Sequence, residues 1–594
     1  MLCVPRLLLI AVLAIPVPGF AAKVDRVDIV GLDEAMAANV RTSLSLTDAI
    51  GKDVPGRRLG YLVRTAQDET REALEPFGLY SPDIAIERTR GGDATVVTIT
   101  VKPGVPIKVR DADIAILGEG GGDRYLKQDL GAFTPRSGDV FNHALYEASK
   151  LRITRRLSER GYFDSEQTAR RVEVTRAANA ADIELVWHSG DRYDMGTTTF
   201  TQQPTPIIRD GVLDKLVYWK PGQYYHQGRL DRLRKSLVAL DYFSRIDIQA
   251  HPEDAVDQQV PIDVTLTPAK RSIYTAGLSY GTESGAGIRL GVERRYVNDR
   301  GHKALAQLDY AQNRKSLTLQ YRIPAFAWLD GWYTASLQAV DERSDYIDDR
   351  RIEFVGSRSG QFNRNLNLVA SIHALRERYA FVPVDLAPGA PVPYAYATYT
   401  YPELRAEYID VDDRIFPRRG IGGSLSLGGG VEGVGSDSSF AQLRARATWF
   451  KSVGDNHRLI VRGELGHTFT GQTVDLPPSL RYYAGGDRSI RGYEYREVGP
   501  RIPAIPGRGA YSLGAKSLLT TSIEFERYFT PTIGAAVFVD SGDAFDGGSP
   551  ELRTGVGIGA RYRSPVGPIK LDLARGLDDP DSGFTVGLSI GADF

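Results

Sequence analysis

"GFTVGLSIGADF", residues 583–594, alternates without a break. Phe584, Val586, Leu588, Ile590, Ala592 and Phe594 fall on one side; Gly583, Thr585, Gly587, Ser589, Gly591 and Asp593 fall on the other. Successive side chains of a strand point to opposite faces, so a two-residue period with one apolar side marks a strand with one face in an apolar medium. "RTGVGIGARYRS" (553–564) reads the same way: Val556, Ile558, Ala560 and Tyr562 oppose Gly555, Gly557, Gly559, Arg561 and Arg563.

Working back from these two, segments of this texture begin near residues 272, 286, 302, 315, 332, 350, 365, 398, 420, 439, 457, 516, 533, 553, 567 and 583. Sixteen strands of about ten residues suit an antiparallel transmembrane β-barrel. In lipid every backbone polar group needs a partner, so such a sheet must close on itself. Tyr and Trp near segment ends ("AFAWLDGWY", "ATWF") fit aromatic girdles at the interface. A large soluble β-sandwich or barrel is the alternative, but it leaves the lipid-length alternation unexplained.

The rest of the composition is compatible with this. The 594 residues carry 73 basic and 74 acidic side chains, with a pI near 6.7, which gives no electrostatic reason to expect nucleic acid. "MLCVPRLLLIAVLAIPVPGFAA" has one Arg, an apolar run and small residues, the pattern of a secretory signal peptide over 1–22. Cys3, the single cysteine, lies inside it, so thiol catalysis and cysteine metal sites are not expected of the mature chain. Beyond it no run of 18 apolar residues suggests a transmembrane helix.

Residues 23–268 contain a weak repeat. "LEPFGLYSPDIAIE" (from Leu74), "LSERGYFDSEQTARRVEV" (from Leu157) and "LVALDYFSRIDIQAHPE" (from Leu237) each run from a helix end into a strand, and a second strand follows. In "RLDRLRKSLVALDYF", Leu230, Leu233, Leu237 and Leu240 share one helix face, which reads as core. The unit is a strand, two helices and two strands, three times over.

One segment resists this pattern. Roughly 45 residues ahead of the strand "LTTSIEFERYF" are rich in Gly, Pro and charge, and contain "SIRGYEYREVGP" (489–500). A loop that long is functional or disordered. Strand parity turns Glu524 and Glu526 inward, and in "GAAVFVDSGDAF" it turns Asp540 inward. An arginine carried into the lumen would meet carboxylates there; Arg491 lying free in solvent is the alternative.

"IRGYEY" (490–495), "FVDSGDAF" (538–545), "GVGIGARYRSPVGPIKLDLA" (555–574) and "DDRIFPRRG" (412–420) resemble signature segments of the Omp85 superfamily, and the N-terminal repeats resemble its POTRA domains. Three POTRA units and sixteen strands are most similar to the TamA branch. The resemblance implies an α+β periplasmic part with POTRA units at 23–103, 104–189 and 190–268, then a barrel over 269–594, in the outer membrane of a bacterium with two membranes. It implies that Arg491 is a clamp on the inward-folded sixth loop, with Gly492 allowing close approach and Tyr493 packing on the wall. Asp540 and Glu524 would be its wall partners, and Phe594 the terminal aromatic of the barrel. The implied work is insertion or secretion of outer-membrane proteins, autotransporters among them. Its partners would be unfolded clients, the lipid bilayer and a TamB-like protein anchored in the inner membrane, with no cofactor, metal or nucleic acid. No Ser-centred nucleophile elbow or His-Glu-x-x-His motif points to an enzyme. A two-partner secretion transporter of the same superfamily and a porin-like channel stay as alternatives.

Overall fold

The computed structural model describes residues 21–91, 94–281, 285–343, 347–381, 393–502, 511–564, 567–578 and 583–590. Most of the expected signal peptide, and Phe594, lie outside these residues. The chain divides into two compact units. One holds residues up to 199 with 219–231 and 249–262; the other holds 200–218, 232–248 and everything from 263 on.

The N-terminal part shows the repeated unit three times. The first has strand Ala21–Val30, helices Glu34–Ser43 and Gly56–Leu74, and strands Asp83–Gly91 and Ala94–Lys102. Its first strand pairs in parallel with Ala94–Lys102, and Asp83–Gly91 lies antiparallel beside that. The second repeats this order with strand Lys108–Leu117, helices Arg124–Gly131 and His143–Glu159, and strands Glu166–Thr175 and Ala180–His188. In each, the helices bury an apolar stripe against the sheet: Leu62, Ala66 and Leu74 with Val97 and Ile99 in the first, Ile153 and Leu157 with Ile183, Leu185 and Trp187 in the second. The third runs Asp194–Gln202, Asp210–Leu213, Gln227–Leu240, Phe243–Ala250 and Gln259–Pro268. Leu230, Leu233, Leu237 and Leu240 are all buried, as their spacing implies.

From Ser272 the chain forms one sixteen-stranded antiparallel sheet. Each strand pairs with its sequence neighbour by the short connections that antiparallel strands permit. The longest connection is a 46-residue excursion, 471–516, between the eleventh strand His457–Thr470 and the twelfth Ser517–Tyr528. The alternation is visible as exposure. On Ile533–Phe545, Val537 and Val539 are about half exposed while Phe538 and Asp540 are buried. The outward side chains are the apolar ones, the inversion expected when the surroundings are lipid.

The excursion is not a free loop. It packs a small apolar core of its own: Tyr482, Ala484, Ile490, Tyr493 and Val498 with Ala515, Leu518 and Ala544. It also reaches strands far apart in the sheet. Ser479 donates to Glu377 on the seventh, Tyr399 on the eighth donates to the carbonyl of Asp475, Tyr482 donates to the carbonyl of Leu443 on the tenth, and Gly492 donates to Thr585 on the sixteenth. Strands that distant can share one segment only if the sheet rolls around it.

Candidate functional site

The twelfth to fifteenth strands build a polar inner wall because their inward positions carry the charges. Parity puts Ser522, Glu524 and Glu526 on one face of Ser517–Tyr528, Asp540 on Ile533–Phe545, Arg561 on Arg553–Ser564 and Asp572 on Gly567–Gly576, and all are buried. Glycines Gly555, Gly557, Gly559 and Gly576 open space between them. A Cβ at Gly555 would lie 1.8 Å from the carbonyl oxygen of Arg491, and one at Gly576 would lie 2.7 Å from the Tyr493 ring.

Into this space comes the tip of the excursion. Arg491 Nε donates to Asp540 Oδ2 at 2.6 Å and Nη2 to Oδ1 at 2.9 Å, a bidentate pair, and its backbone N–H also reaches Oδ2 at 3.1 Å. Nη1 donates to Glu524 at 2.7 Å and to Asp572 at 3.1 Å. The guanidinium stacks over Phe538, 3.3 Å from the ring centroid. A planar five-donor cation is the side chain that can serve three carboxylates and a ring at once. Burial makes each of these groups costly alone, so their positions depend on one another.

Gly492 has φ +97°, where a side chain is strained, and its added Cβ would fall 2.5 Å from the carbonyl carbon of Arg575. Tyr493 is buried, and its hydroxyl donates to Asp578 at 3.1 Å. The five described residues singled out in sequence, Arg491, Gly492, Tyr493, Asp540 and Glu524, thus meet in one place. Gly587 of the last strand also serves this packing: its added Cβ would lie 2.4 Å from Asp487 of the loop.

Other members of the site were not picked out from sequence. Arg561 donates to Glu524 at 2.8 Å, to Glu526 at 3.0 Å and to Asp572 at 2.5 Å. Arg458 donates to Glu526 at 2.7 Å and to the carbonyl of Pro417 at 2.7 Å. Its guanidinium and that of Arg563 lie over Phe416, 4.0 and 3.8 Å from the ring centroid. One ladder of charge pairs therefore runs from the loop tip through Glu524, Arg561, Glu526 and Arg458 to the turn that carries "DDRIFPRRG". Parity had marked Arg561 and Glu526 as inward; the missing information was the cross-strand register that sets them side by side.

Residues 402–594 match the Omp85 superfamily domain, 26–103 the POTRA domain TamA domain 1, and 112–186 a POTRA domain described as surface antigen variable number repeat. Outer membrane protein assembly factor BamA of Nitratidesulfovibrio vulgaris is 25% identical over 392 residues, 63% of this chain and 48% of that protein. BamA of Neisseria meningitidis serogroup B is 22% identical over 447 residues, 70% of this chain and 54% of that one. The chain spans about half the length of these relatives. The crystal structure of BamA from Haemophilus ducreyi lacking POTRA domains 1–3 has a TM-score of 0.64 at 15% identity, covering 82% of this chain and 98% of that one, a likeness of fold. The outer membrane is the location of such proteins, with the POTRA domains in the periplasm. The chain therefore carries an Omp85 superfamily domain over 402–594 behind POTRA domains, and is homologous to the BamA assembly factors.

Proposed function

We propose that this protein promotes the insertion of other β-barrel proteins into the outer membrane. The observation that carries the reading is the loop clamped to the inner wall beside the barrel's edge strands. Among the described residues the first strand, Ser272–Gly281, and the last, Phe584–Ile590, close no ladder with each other. The strands beside that edge hold the clamped loop. A barrel that opens between these two strands would offer N–H and C=O groups that can template an incoming strand. The loop, pinned to the wall beside that edge, would hold those strands in register while the edge is occupied. A porin would keep its lumen open.

Within this function, the match of residues 26–103 to a TamA-type first POTRA domain favours a translocation and assembly module. POTRA units over 23–103, 104–189 and 190–268 would then engage a TamB-like inner-membrane-anchored partner, and autotransporters would be among the unfolded clients. Arg491, held by Asp540 and Glu524, would be the clamp that keeps the wall competent. The test is reconstitution of the full chain in liposomes with a urea-unfolded autotransporter barrel, following client folding by its heat-sensitive gel shift. Faster folding than in empty liposomes, lost with Arg491→Ala, is the expected result. Ion conductance without any effect on client folding would overturn the proposal and favour a channel.

A further inference from the structure

The outward face of a membrane barrel is the wrong place for an unpaired cation, yet one is held there. Arg358 shares the outward parity of Ile352 and Phe354 on the strand Ile347–Gln361. Cross-strand register sets it in the row Tyr333, Arg358, Ala370, Leu404, Leu427, with all its row neighbours apolar or aromatic. Several inward arginines of the same sheet have carboxylate partners, such as Arg351 with Asp349 at 2.8 Å. Arg358 has none among the described residues; its one hydrogen bond there is to the neighbouring carbonyl of Ser359.

The site around it is built rather than incidental. The guanidinium lies 5.3 Å from the Trp328 ring centroid and 5.1 Å from that of Tyr333. Gly331 and Gly360 make room for it: a Cβ at Gly331 would lie 3.1 Å from both terminal nitrogens, and one at Gly360 3.2 Å from Nη1. Phe362 completes the aromatic cluster, 6.3 Å from Trp328 and edge-on.

Depth follows from chain order. With the POTRA domains in the periplasm, the chain starts its first barrel strand from that side, so even-numbered strands return toward it and this sixth strand ends on the periplasmic side at Gln361. Arg358 is therefore three residues from that rim, at the level where Trp and Tyr mark the lipid head groups. Beside it a groove of about 360 Å³ opens on the outward face. Ala370 and Ala406 form its low floor, and Leu368, Leu404, Leu425 and Leu427 its sides.

We propose that this is a binding site for one glycerophospholipid of the periplasmic leaflet. Its phosphodiester would pair with the free edge of Arg358 between the aromatic rings, and an acyl chain would lie in the groove. Charge complementarity selects this occupant: the cation lacks an acid of its own, and phosphate oxygens fit the planar donor fork. The position at the interface supplies that anion already attached to an apolar chain.

The test uses the full chain in mild detergent, with phosphatidylglycerol titrated in and retained lipid counted by native mass spectrometry. One molecule held by the parent chain, and about tenfold weaker retention in Arg358→Gln, are expected for the loss of a charge-assisted hydrogen-bonded pair. Ala406→Phe, which fills the groove and leaves Arg358 in place, is expected to weaken retention as well. Undiminished retention in both variants would overturn the proposal. So would displacement by soluble glycerophosphate at equal concentration, because the groove would then contribute nothing.

Discussion

Arg491→Ala removes the centre of the inner-wall cluster, and the structure says where the cost falls. Glu524 and Asp572 keep Arg561, at 2.8 and 2.5 Å. Asp540 loses the only ion-pair partner it has among the described residues. Removing one side of a buried pair costs about 3–5 kcal/mol, because the charge left behind is uncompensated. The protein can avoid that cost by releasing the loop tip and admitting water to Asp540. Loop docking is then weakened by a factor of roughly a hundred to a few thousand. A cysteine at position 489, labelled in intact cells with a membrane-impermeant maleimide, reports the released state. The expected result is labelling at least about a hundredfold faster in Arg491→Ala, with the barrel still inserted. Asp540→Asn in the same background removes the orphaned charge and is expected to slow labelling again. An unchanged rate in Arg491→Ala, or no rescue by Asp540→Asn, would refute the reasoning.

Arg491→Lys keeps the charge but not the bidentate fork, and is expected to fall nearer to Ala than to the parent in the same labelling assay. Gly492→Ala places a Cβ against the Arg575 backbone at a strained φ, so about 1–3 kcal/mol of docking is expected to be lost; protease cleavage within 489–500 would report it. Leu185→Ala empties part of the second POTRA core and is expected to cost about 2–5 kcal/mol, read as loss of amide protection over 108–188. In the same core His143 accepts or donates a 2.7 Å hydrogen bond with Tyr80, and burial holds its imidazole below the usual value. The folded state thus favours neutral His143, so its contribution is complete above about pH 6.5 and is lost as pH falls below that toward the lowered folded value. Amide protection factors in this unit, with the intrinsic pH dependence of exchange divided out, are expected to fall between about pH 7.5 and 5.5, and less so in His143→Gln; identical profiles would remove His143 as the cause.

Much of the barrel was legible because lipid imposes a simple rule on strands. Each segment start read from alternation falls within three residues of a strand in the sheet: 332 against Leu329 is among the larger differences, and 553 and 567 coincide. The same rule turned Glu524 and Asp540 inward. What alternation could not give was register. Arg561, Asp572 and Arg458 are inward by parity, but nothing in their own strands says that they meet Glu524 and Glu526. The excursion was the least legible part: its apolar residues, Tyr482, Ile490 and Val498, have no period because they pack in a core without a repeating element. Arg358 was equally hidden, since only the cross-strand row shows it among apolar side chains.

The claim at the centre of this account is that the loop tip sits inside the barrel against its last strands. Asp487→Cys with Gly587→Cys, in a Cys3→Ser background, tests it without touching the clamp. The Cβ position at Gly587 lies 2.7 Å from Cγ of Asp487, which places the two Cβ atoms near disulfide range. Ready oxidation to a crosslink that shifts mobility on an unheated gel is the result this account requires. Two free thiols, with the one at position 487 labelled from outside the cell at the rate of an exposed loop, would contradict it.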